Sequence, residues 1–197
     1  VVDVTFGDGA EKINDFAKSA GEAFGLSELQ AKEFTGTMGA MLKSMQVTSE
    51  QALEMSMNLA GLAGDMASFY NLDHSTAWEK IRSGIAGETE PLKQLGINMS
   101  VANLEAYALS QGITKAYEEM TEAERVTLRY NYLLSVTADA QGDFARTSDE
   151  WANQLRTAQM NVDSLAASFG EKLLPALQPV LKAFNDVAMP KLHAAFE

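Results

Sequence analysis

The chain has 197 residues, of which 46% are hydrophobic and 21% are charged, and this composition indicates a folded protein with one sizeable core or two small ones. Its formal net charge of -12 argues against sequence-independent binding of nucleic acid, because such binding depends on clustered Lys and Arg. Cysteine is absent, which excludes disulfide bonds and thiolate metal sites.

The amino acid usage favours helices along almost the whole chain. Ala, Leu, Met, Glu, Gln and Lys are common, and there are only four prolines. A strand pattern is confined to residues 1–6. Helices are expected to begin at Asp73, at Ser100 and at four capping boxes, in which a Ser or Thr precedes a Gln or Glu by three residues. The four boxes are Ser27 with Gln30, Thr48 with Gln51, Thr121 with Glu124, and Thr147 with Glu150.

The predicted helix ends fall on or near residues that tolerate a left-handed backbone. Between the predicted starts and ends, apolar residues return every three or four positions, so each helix has one face to bury. The sequence therefore predicts an all-α fold, a multi-helix bundle of about eight short helices with a long, kinked, amphipathic and coiled-coil-like helix at the C-terminus. The predicted ends are Gly25, Gln46, Asn71, Gly87, Gly96, Gly112 and Gly142.

The segment from residue 82 to residue 100, RSGIAGETEPLKQLGINMS, combines several helix stops and starts. Gly87 is expected to close one helix and Thr89 to cap the next. Pro91 fits the first turn of that helix, where its missing N–H costs nothing, and Gly96 ends it. From spacing alone, an ordinary helical connector is the favoured interpretation.

The C-terminal quarter carries apolar residues at alternating steps of four and three, which is the spacing of a heptad seam. Gly170 and Pro175 interrupt the pattern, and a proline inside a helix removes one hydrogen bond, so a kink or break is predicted near 170–175. We therefore divide the chain into a compact helical body, residues 1–146, and a long amphipathic segment, residues 147–197. The seam consists of Trp151, Leu155, Val162, Leu165 and Phe169.

The sequence contains no recognisable catalytic, cofactor or metal motif. His74 and His193 stand far apart, and no nucleophile elbow, Walker loop, dinucleotide fingerprint or HExxH accompanies them. Glu88 lies near a predicted helix N-terminus, where the dipole favours carboxylates, and this favours a capping role over acid–base catalysis. No uncharged stretch approaches the ~20 residues of a membrane-spanning helix. We expect a protein that is not an enzyme and has no cofactor, metal site or membrane span in this segment.

Two stretches resemble the tail tape measure proteins, or minor tail proteins, of bacteriophages and prophages. They are GETEPLKQLGI, residues 87–97, and ADAQGDFARTSD, residues 138–149. The resemblance covers most of the chain and is weakest at residues 1–20 and after about 175. Since the chain opens with Val1, we expect an internal fragment of such a protein. The motif residues that are candidates for interaction are Gly87, Glu88, Thr89, Pro91, Leu92, Gly96, Asp143, Phe144, Arg146 and Thr147.

The resemblance implies a virion structural protein that sets tail length during viral tail assembly, fills the lumen of the tail tube and is released at DNA ejection. It implies a location in the host bacterial cytoplasm during assembly and then in the lumen of the virion tail. The implied partners are the tail tube (major tail) protein, the tail assembly chaperones and the tail tip or baseplate proteins. Self-association through the heptad seam is a further expectation, and direct nucleic-acid binding is not expected.

A second function stays open on the sequence. An all-helical chain with an amphipathic C-terminal segment also suits a helical host-interaction or envelope-penetration module of a prophage-derived protein that does not act as a ruler. An enzyme domain is the third class, and the sequence offers no coherent site for it.

Overall fold

The computed structural model describes residues 2–162, 164–166 and 168. Within these residues every regular element is helical, which confirms the predicted all-α fold. Short 3₁₀ turns lie at Gly7–Gly9 and Tyr117–Glu119, and the described helical residues 151–162 are called α10. The other helices are α1 (Val2–Phe6), α2 (Ala10–Phe24), α3 (Glu28–Ser44), α4 (Ser49–Phe69), α5 (His74–Ala86), α6 (Glu90–Lys93), α7 (Val101–Ser110), α8 (Glu122–Val136) and α9 (Asp143–Arg146).

The central helix of the body is α4. It packs against α2, α3, α5 and α9, and its side chains are buried on most of its circumference. Leu59 and Met66 are fully buried there. A Cβ on Gly64 would overlap the carbonyl oxygen of Phe24 in α2, so the close approach of these two helices requires a residue without a side chain.

The remaining helices extend the same core. The α5 helix packs against α6 and α8, and α7 packs against α8. Their apolar faces join those of α2, α3 and α4 in one continuous cluster of buried side chains. The largest fully buried side chains of this second half are Ile81, Ile85, Leu92, Met99, Leu104 and Leu133.

Side-chain caps open the helices at most of the predicted positions. Ser27 and Thr121 form complete capping boxes at the starts of α3 and α8. Thr48 caps α4, but its predicted box is incomplete, because the side chain of Gln51 accepts a hydrogen bond from the Thr48 hydroxyl and not from the Thr48 backbone N–H. The two single caps are also confirmed, at Asp73 and Ser100.

The left-handed residues end helices as predicted, with one exception. Gly142 has φ 73° but precedes α9, whereas α8 already ends at Val136. The reason is the polar bonding of the intervening turn. The Gln141 side chain donates to the Leu134 carbonyl at 2.7 Å and caps the end of α8, and the Gly142 N–H donates to Asp65 at 2.8 Å. The residues with confirmed positive φ are Gly25, Gln46, Asn71, Gly87, Gly96 and Gly112.

The strand pattern at the start of the chain is wrong, because residues 2–6 form α1. Val2 is buried with Ile13 and Leu53 in a small cluster. The ring of Phe6 fills the space where a Cβ on Gly39 of α3 would lie. These contacts outweigh the local β-propensity of the segment.

The last described helix, α10, follows α9 after a short turn. The seam residue Phe169 and the kink predicted near 170–175 lie outside the described residues. The division of the chain between residues 146 and 147 stays a prediction.

Candidate functional site

The first motif, GETEPLKQLGI, begins at the end of α5. Gly87 has φ 102°, and the N–H of Glu88 donates to the Ser83 carbonyl at 2.9 Å, so the predicted helix stop is confirmed. Pro91 lies in the first turn of α6, as predicted. Thr89 stands at the N-cap position but makes no side-chain capping bond, because its backbone is already helical with φ -84° and ψ -16°. The cap predicted for this residue is therefore wrong.

The end of the first motif returns the chain to the core. Gly96 has φ 80°, and the Ile97 N–H donates to the Leu92 carbonyl at 3.1 Å, which is the bonding of a Schellman stop. The side chain of Leu92 is fully buried and occupies the space in which a Cβ on Gly84 of α5 would lie. The motif thus holds α6 closely against α5.

Arg129 of α8 lies beside Gly87 at the start of the first motif. Its guanidinium donates to the Ile85 carbonyl at 3.0 Å, to the hydroxyl of Tyr117 at 2.9 Å and to Glu122 at 3.3 Å. It also lies 3.1 Å from the position of a Cβ on Gly87, so a side chain there would press on it. Arg129 is not among the residues predicted from the sequence. The sequence feature that could have identified Arg129 is its position as a charged residue on the apolar face of an amphipathic helix.

The second motif, ADAQGDFARTSD, is held by a buried carboxylate. Asp65 of α4 accepts the N–H of Gly142 at 2.8 Å and that of Phe144 at 3.3 Å. Burial raises the pKa of Asp65, and the two backbone hydrogen bonds oppose that shift. Phe144 is buried against Gly25. Asp65 is also absent from the predicted residues, although an acidic side chain within the apolar sequence of α4 marks it.

A polar cluster joins this motif to α10. The Ser68 hydroxyl donates to the Asp143 carboxylate at 2.5 Å and lies 3.0 Å from the Thr147 hydroxyl. The side-chain amide of Asn153 donates to both hydroxyls at 2.8 Å. These four side chains connect α4, α9 and α10 through hydrogen bonds.

Arg146 and Thr147 of the second motif lie at the C-terminal end of α9. The Thr147 hydroxyl donates to the Asp143 carbonyl at 2.8 Å, so the capping box predicted for Thr147 with Glu150 is wrong. The hydroxyl is already engaged by α4 and α9 and is not free to cap the next helix. Arg146 is exposed and donates to the Gln141 carbonyl at 2.7 Å.

The α10 helix faces the body with its polar side. Asn153 is 2% exposed, and Arg156, Thr157 and Met160 are half-buried. Met160 lies against Gly21 of α2. The described residues of the heptad seam are largely exposed, although Leu155 also lines the cleft between α10 and the body. The exposed fractions of these seam residues are 78% for Trp151, 57% for Leu155, 64% for Val162 and 60% for Leu165.

Arg156 provides most of the hydrogen bonds between α10 and the body. Its guanidinium donates to the Ala67 carbonyl at 3.0 Å, to the Asn71 side chain at 2.9 Å and to the Leu72 carbonyl at 3.1 Å. These acceptors lie at the C-terminal end of α4, where unpaired carbonyls and the helix dipole favour a cation. A fourth bond, to the Asn153 side chain at 2.6 Å, stays within α10.

A cleft of about 500 Å³ lies between α10, the start of α3 and the turn from α4 to α5. His74 lines the cleft and is 8% exposed, and its Nε2 atom makes no hydrogen bond with any residue that the structure describes. Burial lowers the pKa of His74 to about 4, the positive charge of Arg156 adds to this shift, and Asp73 partly opposes it. The imidazole is therefore neutral at pH 7.

Across residues 2–162, 164–166 and 168, no three His, Asp or Glu side chains lie close enough together to hold a metal ion. None of the helices described there is both long and apolar enough to cross a membrane. No family model, curated protein or solved structure matches the chain.

Proposed function

We propose that the chain is an internal segment of a tail tape measure protein, which sets tail length, fills the tail tube lumen and leaves at DNA ejection. Both motifs that carry the resemblance act as connectors between helices, which suits a chain of rods. An α-helix adds ~1.5 Å per residue, so helices in series convert residue number into length. The observation that carries the proposal is the exposed seam of α10, because it offers an apolar face to a neighbour in a filament.

The proposed ruler requires a more extended arrangement than the compact body. Its helices fold back on one another around a shared core, and this arrangement shortens the chain. We propose that the body opens at its glycine connectors inside the tail, or that the seam pairs with further copies of the chain. The tail tube protein, the assembly chaperones and the tail tip proteins are the proposed partners, first in the host cytoplasm and then in the tail lumen.

An in-frame deletion of residues 100–140 within the intact phage protein tests the ruler. The segment corresponds to about 60 Å of helix at ~1.5 Å per residue, so electron microscopy should show tails shorter by about that length. The matched control replaces the same residues with a helical spacer of equal length and unrelated sequence, and it should restore the original tail length. Tails of unchanged length after the deletion would contradict the proposal.

A host-interaction or envelope-penetration module is the second candidate. The exposed apolar face of α10 also favours this function, because amphipathic helices dock into grooves of partner proteins or lie on membrane surfaces. The same deletion separates the two candidates, since normal tail length with altered infection supports the module. Catalysis is part of neither proposal, and measurable activity on a cell-wall substrate would count against both.

A further inference from the structure

The α10 helix turns its polar face to the body and its apolar face to solvent, whereas an ordinary amphipathic helix packs its apolar face on the core. Asn153 and Arg156 face the body, whereas Trp151 and Leu155 are exposed. Burial of apolar surface is the main force that holds a helix on a core, and it contributes little at this contact. Hydrogen bonds therefore provide most of the attachment, and each contributes only modestly because water competes for the same groups. This contact therefore depends on polar groups more than on apolar burial.

His74 lies beneath α10 and makes the attachment sensitive to charge. Its Nε2 atom is buried without a hydrogen-bond partner among the described residues. Within the described part of the chain, the charged groups that face it are Asp73 on its own turn and Arg156 on α10, and Gln30 in the first turn of α3 adds an uncharged side chain to the same cleft. A proton on this imidazole would create a second positive charge beside Arg156 in a site from which water is largely excluded.

We infer that α10 is a releasable latch, which detaches from the body when His74 is protonated while the helices from α2 to α5 stay folded. Detachment removes Arg156 from the imidazole and opens the cleft, so that water reaches His74. The inference goes beyond the proposed function, because it concerns the isolated chain and holds whether or not the chain measures tails.

The direction of the pH effect follows from the two states of His74. With α10 docked, the pKa of His74 is about 4, and with α10 released it returns towards the ordinary 6.5. The released state therefore binds a proton first, and docking weakens as the pH falls from 6.5 to 4. The raised pKa of Asp65 concerns folding of the body and not docking of α10, because its hydrogen-bond partners Gly142 and Phe144 lie outside α10. Between pH 7 and pH 5 the docking equilibrium should shift towards release, by about 20-fold if the pKa of the released state reaches 6.5.

Hydrogen exchange measured by mass spectrometry tests the latch on the full chain. After correction for the intrinsic pH dependence of exchange, protection of residues 151–162 should fall between pH 7 and pH 5, by up to about 20-fold. Protection of α4 should stay constant. The variant His74→Gln keeps a polar side chain that does not titrate, and it should make the protection of α10 independent of pH. The matched control His193→Gln should retain the pH dependence.

Two results would overturn the inference. One is a protection of residues 151–162 that does not change between pH 7 and pH 5 in the unaltered chain. The other is a fall of equal size in His74→Gln, which would assign the effect to a different group. If that variant does not fold by circular dichroism, the NMR titration of His74 in the unaltered chain decides the question. A titration of His74 that coincides with the loss of protection of residues 151–162 supports the latch, and a titration that leaves this protection unchanged rejects it.

Discussion

At the scale of single residues, most buried polar side chains among the described residues form hydrogen bonds with the backbone, and the Nε2 atom of His74 is an exception. The hydroxyls of Thr35 and Thr137 each donate to the carbonyl four residues earlier, at 2.7 Å. Asp65 and Arg129 instead form hydrogen bonds with backbone groups of other elements. Each of these bonds provides a partner for the buried charged group and also fixes the position of a connector. Hydrogen bonds of this kind add specificity to a core built mostly from Ala, Leu and Met.

Asp65 gives a prediction at this scale. Asp65→Ala should lower the free energy of unfolding by about 2 kcal/mol, because the N–H groups of Gly142 and Phe144 lose their acceptor while they stay shielded from water. Urea denaturation followed by circular dichroism measures the change. Asp139→Ala is the matched control, since Asp139 is exposed, and it should change the free energy by less than about 0.5 kcal/mol. Equal effects of the two substitutions would show that Asp65 does not hold the second motif.

At the scale of elements, local capping explains why most helix boundaries were predictable. The box of Thr121 with Glu124 needs only residues three apart, and both of its hydrogen bonds are present. The pKa of Glu124 falls to about 2, first through its hydrogen bond from Lys115 and then through the two from Thr121. Since this pKa lies below its unfolded value, the capping contribution is present at neutral pH and is lost as the pH falls through about 2.

The orientation of α10 gives the prediction at this scale. Leu155 lies on its exposed seam, with 57% of its surface accessible, whereas Leu133 of α8 is fully buried. Leu133→Ala should therefore lower the free energy of unfolding by about 2–5 kcal/mol, and Leu155→Ala by less than about 0.5 kcal/mol. Urea denaturation of both variants at low protein concentration measures the difference. A large loss in Leu155→Ala would mean that the seam is covered in solution.

At the scale of the whole molecule, the sequence was informative wherever a feature depends on neighbouring residues. The all-α fold and six left-handed helix ends follow from composition and from single residues such as Gly87. Contacts between distant segments decided the rest. Phe6 against Gly39 turns a strand pattern into a helix, and Ser68 engages the hydroxyl of Thr147 that was expected to cap the following helix. No local pattern shows that Arg156 attaches α10 by its polar face.

The net charge gives the last prediction, because it acts on the molecule as a whole. Within the described residues, the ion pairs are mostly three or four residues apart on one helix and partly exposed, as with Lys18 and Asp15, so each contributes little. Repulsion among the excess acidic groups, which follows from a net charge of -12, acts on the compact state over longer distances. The Debye length falls from ~30 Å at 0.01 M salt to ~8 Å at 0.15 M, so screening should relieve more repulsion than attraction.

We therefore expect the urea midpoint at pH 7 to rise between 10 mM and 150 mM NaCl. A variant that combines Glu33→Gln, Glu54→Gln and Asp139→Asn removes three exposed negative charges and reduces the net charge from -12 to -9. Because less repulsion is left to screen, its midpoint should be higher than that of the unaltered chain at 10 mM NaCl and should rise less with added salt. A midpoint that falls with salt would mean that the ion pairs outweigh the net repulsion in the folded chain.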